Sequence, residues 1–68
     1  MENEIVLKVE GLELSGAKEK ILRRAQKMPG IEYLGVDSEA GTVTVVGGDL
    51  DRLSFEDEIE SMGYRVVR

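Results

Sequence analysis

The stretch Gly11-Leu12-Glu13-Leu14-Ser15-Gly16-Ala17-Lys18 lies between a β-like run and a helix-like run, the place where small folds often put their chemistry. Its side chains offer one hydroxyl, one carboxylate and one amine, with apolar residues at Leu12, Leu14 and Ala17. Elsewhere the groups able to act are basic side chains at Lys18, Lys20, Arg23, Arg24 and Lys27, and acidic pairs at Asp37/Glu39 and Asp49/Asp51. The chain has no cysteine and no histidine. Thiolate and imidazole are the ligands that soft and borderline metals prefer, so copper, zinc and iron–sulfur sites of the usual kind are excluded on ligand inventory. Acid–base work near neutral pH would need a shifted carboxylate or lysine. Neither acidic pair has the ligand count of an EF-hand loop, and both read as solvated turn residues.

The totals narrow the classes further. Sixty-eight residues make a single domain, 1-68, with a thin stability margin and no disulfide to widen it. Nine basic and fourteen acidic residues give a formal charge of -5, which repels phosphate backbones and argues against general nucleic-acid binding. No apolar run approaches the roughly 20 residues of a membrane span, and no signal peptide opens the sequence, so the expectation is a soluble, cytoplasmic chain.

The elements that must position these groups follow from periodicity. Residues 4–10 alternate, with Ile5, Leu7 and Val9 on one face and Val6, Lys8 and Glu10 on the other, as in a strand with one buried face. Ser15 is the expected N-cap of a helix over residues 16–28, whose apolar stripe is Ala17, Ile21, Ala25 and Met28, widened by Leu22. Its polar face is the basic group above, and Pro29-Gly30 stops it. Residues 31–37 form a second strand. Strict alternation there places Leu34 and Val36 on one face and Ile31, Tyr33 and Gly35 on the other. A turn at Ser38–Gly41, with Gly41 at positive φ, leads to a β-branched strand over residues 42–46. Residues 47–51 read as a loop. A second helix runs from about Arg52 to Met62, capped by Asp51 or Ser54, with Phe55, Ile59 and Met62 inward. Glu56, Asp57, Glu58 and Glu60 form its exposed acidic side. Gly63 ends it, and Tyr64–Arg68 is a short last strand. The order βαββαβ predicts an α+β, ferredoxin-like fold: a four-stranded antiparallel sheet with both helices on one face. The basic and acidic helices then lie side by side, and Lys8, Glu32 and Arg65 are placed to protect strand edges.

In this order and spacing, Val9-Glu10-Gly11-Leu12, Met28-Pro29-Gly30-Ile31, Val36-Asp37, Gly41-Thr42-Val43-Thr44-Val45 and Ile59-Glu60-Ser61-Met62-Gly63-Tyr64 resemble the heavy-metal-associated domain family. That family includes copper chaperones and the metal-binding modules of copper-transporting ATPases. The resemblance spans nearly the whole chain and implies Cu(I) held by two thiolates of a Cys-x-x-Cys loop. It fails at those positions, where Leu14 and Ala17 stand, while Leu12 matches the family's loop methionine and Tyr64 its tyrosine near the metal. Leucine and alanine offer no lone pair, so the implied activity is not carried over and no cofactor is expected. Both replacements favour packing and helix formation, as a designed sequence on this backbone or a cysteine-free relative would show.

The functional expectation is therefore a non-catalytic, structural or designed scaffold, monomeric and without metal transfer. The alternative is a protein-interaction module. Its partner surface would comprise Leu12, Leu14, Lys18, Lys20, Arg23, Arg24, Lys27 and Tyr64; exposure of both leucines would favour it, and burial of both the scaffold. Acylphosphatases share the fold but need a first-loop arginine and a nearby asparagine. This first loop has no arginine, and Asn3 is the only asparagine. RNA binding through the sheet needs central aromatics, and only Tyr33 could serve.

Overall fold

A computed structural model describes residues 2–68; Met1, the first residue of the expected 1-68 domain, lies outside them. The elements are β1 (Glu2–Glu10), α1 (Ala17–Ala25), β2 (Ile31–Asp37), β3 (Thr42–Leu50), α2 (Arg52–Ser61) and β4 (Arg65–Val67). The strands form one antiparallel sheet in the order β2-β3-β1-β4. Ile5, Leu7 and Val9 of β1 and Val43 and Val45 of β3 share one buried cluster with Ile21 of α1 and Phe55 and Ile59 of α2. Both helices therefore cover the same face, and the ferredoxin-like arrangement is the one observed.

Alternation explains the sheet and also where it breaks. Ile31 pairs with Gly47 and Tyr33 with Val46, so β2 spends two residues where β3 spends one. Such a bulge reverses the parity of the strand. Ile31 consequently packs against the core together with Leu34 and Val36, rather than sharing a face with Tyr33. Tyr33 stays exposed on the outer face. The bulge also explains Gly47: a Cβ there would lie 2.0 Å from the Gly30 carbonyl oxygen, which accepts from the Gly48 N–H at 3.2 Å. Residues 47–50, expected as loop, thus continue β3, and Leu50 pairs with Glu2.

The helix ends also depart from expectation. α1 begins one residue later and ends three residues earlier than its apolar stripe suggested. Its N-cap is Gly16, at φ 81°, and no side chain caps it, so Ser15 does not play that role. Asp51 holds the N-cap position of α2 in extended conformation, and Ser54 Oγ donates to its Oδ2 at 2.8 Å instead of capping. The β2–β3 turn is built as expected. Asp37 Oδ1 accepts from the Glu39 and Ala40 N–H groups at 3.1 and 3.0 Å, and Gly41 takes φ 72°.

Two charged residues change place. Glu56 is buried at 7% exposure, not part of the outer acidic face. Its Oε1 has no hydrogen-bond partner among the described residues. Arg68 Nη2 stands 3.1 Å away as its counter-ion, and Arg68 Nη1 reaches Glu60 Oε2 at 3.0 Å. Arg68 so straps the end of the last strand to one face of α2. Lys8 is on an internal strand, paired on both sides; only Glu32 on β2 and Arg65 on β4 belong to edge strands.

Candidate functional site

The β1–α1 loop is held by its own backbone. After Val9 the chain turns at Gly11, whose φ of 102° suits glycine. The Leu14 N–H donates to the Gly11 carbonyl and the Ala17 N–H to the Leu14 carbonyl, each at 3.1 Å. The Lys20 N–H donates to the Gly16 carbonyl at 2.9 Å and closes the first turn of α1. Positions 14 and 17 are thus the two ends of one tight turn.

Their side chains have opposite fates. Leu14 is 60% exposed, whereas Ala17 is 1% exposed. Leu12, two residues before Leu14, is 2% exposed and belongs to the core cluster. The chain thus puts Leu12 under the loop and Leu14 on top of it. Leu12 drops out of the expected partner surface, because a core side chain cannot meet a partner. Tyr64 is half-buried against the core and lies beside Gly11: a Cβ on Gly11 would come 3.1 Å from Tyr64 Cδ1 and 3.7 Å from Leu14 Cδ1. An open concavity of about 510 Å³ runs from Leu12, Leu14 and Ala17 past Lys18 to Ser38 and Glu39.

The basic face of α1 is partly spent within the molecule. Arg24 Nη1 donates to Glu58 Oε2 at 2.7 Å and to Ser61 Oγ at 3.3 Å. Lys20 Nζ donates to the Met62 carbonyl at 3.4 Å and lies 5.9 Å from the centre of the Tyr64 ring. Lys18, Arg23 and Lys27 are exposed. Lys20, Arg23, Arg24 and Lys27 share a shallow cleft of about 170 Å³ with Met62. The two helices do complement each other in charge, through Arg24 and Glu58, and that pairing takes Arg24 out of the freely available basic set. Lys18 near Leu14, and Lys20 near Tyr64, remain next to the loop.

Chemically, the loop presents an exposed isobutyl group, a buried methyl group, amines and backbone groups. None of the side chains at the ligand positions has a lone pair to give a metal. Among the described residues, no three Asp or Glu side chains gather into a group able to hold a cation. The shifted titrating groups lie elsewhere. The Arg68 guanidinium hydrogen-bonds the Glu60 carboxyl and holds it below the ordinary carboxylate value of 4.5, and the same bond raises Arg68. No helix of the described residues is long and apolar enough to cross a membrane.

Comparison with known proteins gives a consistent picture. No protein-family model matches the sequence, and no curated protein sequence does. Among solved structures, the chain is similar to the CopZ metallochaperone, at 29% identity and a TM-score of 0.85 over 94% of this chain and 98% of that one. It is similar to the CsoZ metallochaperone, at 24% identity and a TM-score of 0.82 over 96% of each chain. The N-terminal domain of the copper(I) ATPase PacS aligns at 25% identity with a TM-score of 0.76, over 97% of this chain and 92% of that one.

Proposed function

We propose that this chain, which has the heavy-metal-associated fold without that fold's Cys-x-x-Cys motif, is a non-catalytic structural domain that does not carry Cu(I). The observation that supports this reading is the pair Leu14 and Ala17 at the two ends of the loop turn. Soft Cu(I) is stable in a two-coordinate site when two thiolates supply it. A chain without cysteine or histidine has no thiolate or imidazole donor anywhere, and Ala17 is in addition closed off from solvent. The metallochaperone role therefore stays with CopZ and CsoZ. A competition titration tests the reading: the chain is added to a coloured Cu(I) chelator complex, and the chelator spectrum is expected to stay unchanged. Withdrawal of Cu(I) from the chelator by the unaltered chain would overturn it.

One observation favours a second reading, a docking module. Leu14 exposes most of its side chain at the loop tip, beside Lys18 and close to Tyr64 and Lys20. An apolar knob next to amines suits a protein surface that offers an apolar pocket rimmed by carboxylates. Leu14, Lys18, Lys20, Arg23, Lys27 and Tyr64 would carry that contact, with Arg24 held back by Glu58 and Leu12 excluded by burial. Amide NMR shifts on titration with an acidic, leucine-containing peptide test it. Shifts confined to residues 13–27 and 64 are expected; uniform or absent shifts would contradict it.

A further inference from the structure

We propose that two copies of this chain associate weakly through the outer, helix-free faces of their sheets, around a two-fold axis at Val6. The inference concerns a face remote from the loop and does not depend on the reading of Leu14. Val6, Tyr33 and Val67, at 50%, 59% and 43% exposure, are three of the five large apolar side chains exposed among the described residues. All three lie on this face. Strand pairing fixes their neighbours. One row across the sheet is Tyr33, Val46 and Glu4; the next is Gly35, Thr44 and Val6; the third is Asp37, Thr42, Lys8 and Val67. Tyr33 fills the gap left by Gly35: a Cβ on Gly35 would fall 2.6 Å from the Tyr33 hydroxyl. The middle of the face is therefore continuous threonine, valine and tyrosine surface.

Charge complementarity points to a second copy as the occupant. An axis parallel to the sheet, running above its outer face along the Gly35–Thr44–Val6 row, exchanges the rows on either side of it. Val6 then meets Val6 of the other copy. Glu4 meets Lys8 of the other copy, and Lys8 meets its Glu4, so two opposite-charge pairs flank the axis. Tyr33, whose hydroxyl end lies over Gly35 on the axis row, meets Tyr33 of the other copy and extends the contact at the axis. An isologous interface must be self-complementary in this way, and packed sheets tolerate such an arrangement at about −30° between strand directions. The Lys8 ammonium donates to the Ala40 carbonyl within its own chain and keeps further N–H donors for a carboxylate. This face also carries little repulsion. The charged residues that strand pairing places in its rows among the described side chains, Glu4, Glu10, Asp37, Lys8 and Arg65, sum to −1, against −5 for the chain.

The face is narrow, four strands at about 4.8 Å spacing, so the interface is small and belongs to the weak class. Half-association is expected on the order of 0.1 mM, in place of the monomer suggested by the sequence. The test is sedimentation velocity of the full chain from about 10 μM to about 1 mM, a range that brackets weak complexes. The sedimentation coefficient of the unaltered chain is expected to rise toward that of a dimer. Val6→Arg puts two guanidinium groups at the axis and is expected to remain monomeric throughout, with unchanged far-UV circular dichroism; Thr44→Arg repeats the test in the same row. Glu4→Lys should weaken association by about tenfold or more, and adding Lys8→Glu should restore it. A chain monomeric at every concentration, a dimer indifferent to both arginine substitutions, or a charge swap that fails to restore pairing would each overturn the proposal.

Discussion

Leu12 and Leu14 are two residues apart in one loop, yet Leu12 is 2% exposed and Leu14 is 60% exposed. The turn that joins them, opened by Gly11 at φ 102°, sends one side chain into the core beneath α1 and the other to solvent. The same loop therefore contributes Leu12 to the core and leaves Leu14 on the surface. Leu12→Ala should cost about 2–5 kcal/mol, as buried leucine truncations do, whereas Leu14→Ala should stay within about 0.5 kcal/mol. Urea unfolding of both variants measures the difference. Equal losses would mean that the loop is packed differently.

Two glycines of the sheet predict unequal costs. At Gly47 an added Cβ meets the Gly30 backbone carbonyl at 2.0 Å; at Gly35 it meets the hydroxyl end of Tyr33 at 2.6 Å. A flexible side-chain end can swing away, but the Gly30 carbonyl, which accepts from the Gly48 N–H, can move only with its backbone. Gly47→Ala is expected to lose about 1–3 kcal/mol and Gly35→Ala clearly less, with Tyr33 displaced. Urea midpoints together with the tyrosine near-ultraviolet signal check this. A costlier Gly35→Ala would contradict the bulge geometry at Ile31–Tyr33.

The contact between Arg24 and Glu58 joins the two helices across the surface, with both side chains about two-fifths exposed. A double-substitution cycle with alanine should give a coupling of about 0.2–1 kcal/mol, the range of exposed pairs. The coupling should shrink in about 1 M salt, where the screening length falls to about 3 Å. A salt-independent coupling would show that packing rather than charge joins the helices.

Glu60 supplies a pH signature. Its carboxyl is held below the ordinary value of 4.5, first by the hydrogen bond from Arg68. A carboxylate lowered on folding contributes stability above its unfolded value and loses it as pH falls through its folded value. Glu60→Gln should therefore be less stable than the parent chain near pH 7, and the gap should close as pH falls below about 4.5. Urea midpoints across that range measure it. A gap that stays constant or widens in acid would contradict the role given to Arg68.

Much of the fold was legible because the alternation Ile5-Leu7-Val9 and the stripes Ala17-Ile21-Ala25 and Phe55-Ile59-Met62 are local signals that tertiary packing reinforced. The errors came where packing outweighs pattern. The bulge at Ile31–Tyr33 depends on β3 as a partner, and nothing within residues 31–37 announces it. Glu56 is charged and buried, and its counter-ion Arg68 comes from the far end of the chain. Gly47-Gly48-Asp49 reads as loop by composition, but these residues carry β3 alongside Gly30 and on to Leu50. At the candidate site, the missing donors at positions 14 and 17 were visible from residue types alone. The separation of Leu12 from Leu14 was not, because alternation is undefined inside a turn.

We propose that the chain lacks Cu(I) chemistry because of two side chains and not because of its loop backbone. The most direct measurement is a Cu(I) competition titration of the parent chain beside Leu14→Cys/Ala17→Cys, under reducing conditions. The parent is expected to leave the chelator complex intact and the double variant to withdraw Cu(I) from it, since residues 14 and 17 close one turn through the 3.1 Å hydrogen bond from the Ala17 N–H to the Leu14 carbonyl. Cu(I) withdrawal by the parent would contradict the ligand argument, and failure of the double variant would show that the loop backbone, too, has left metal binding behind.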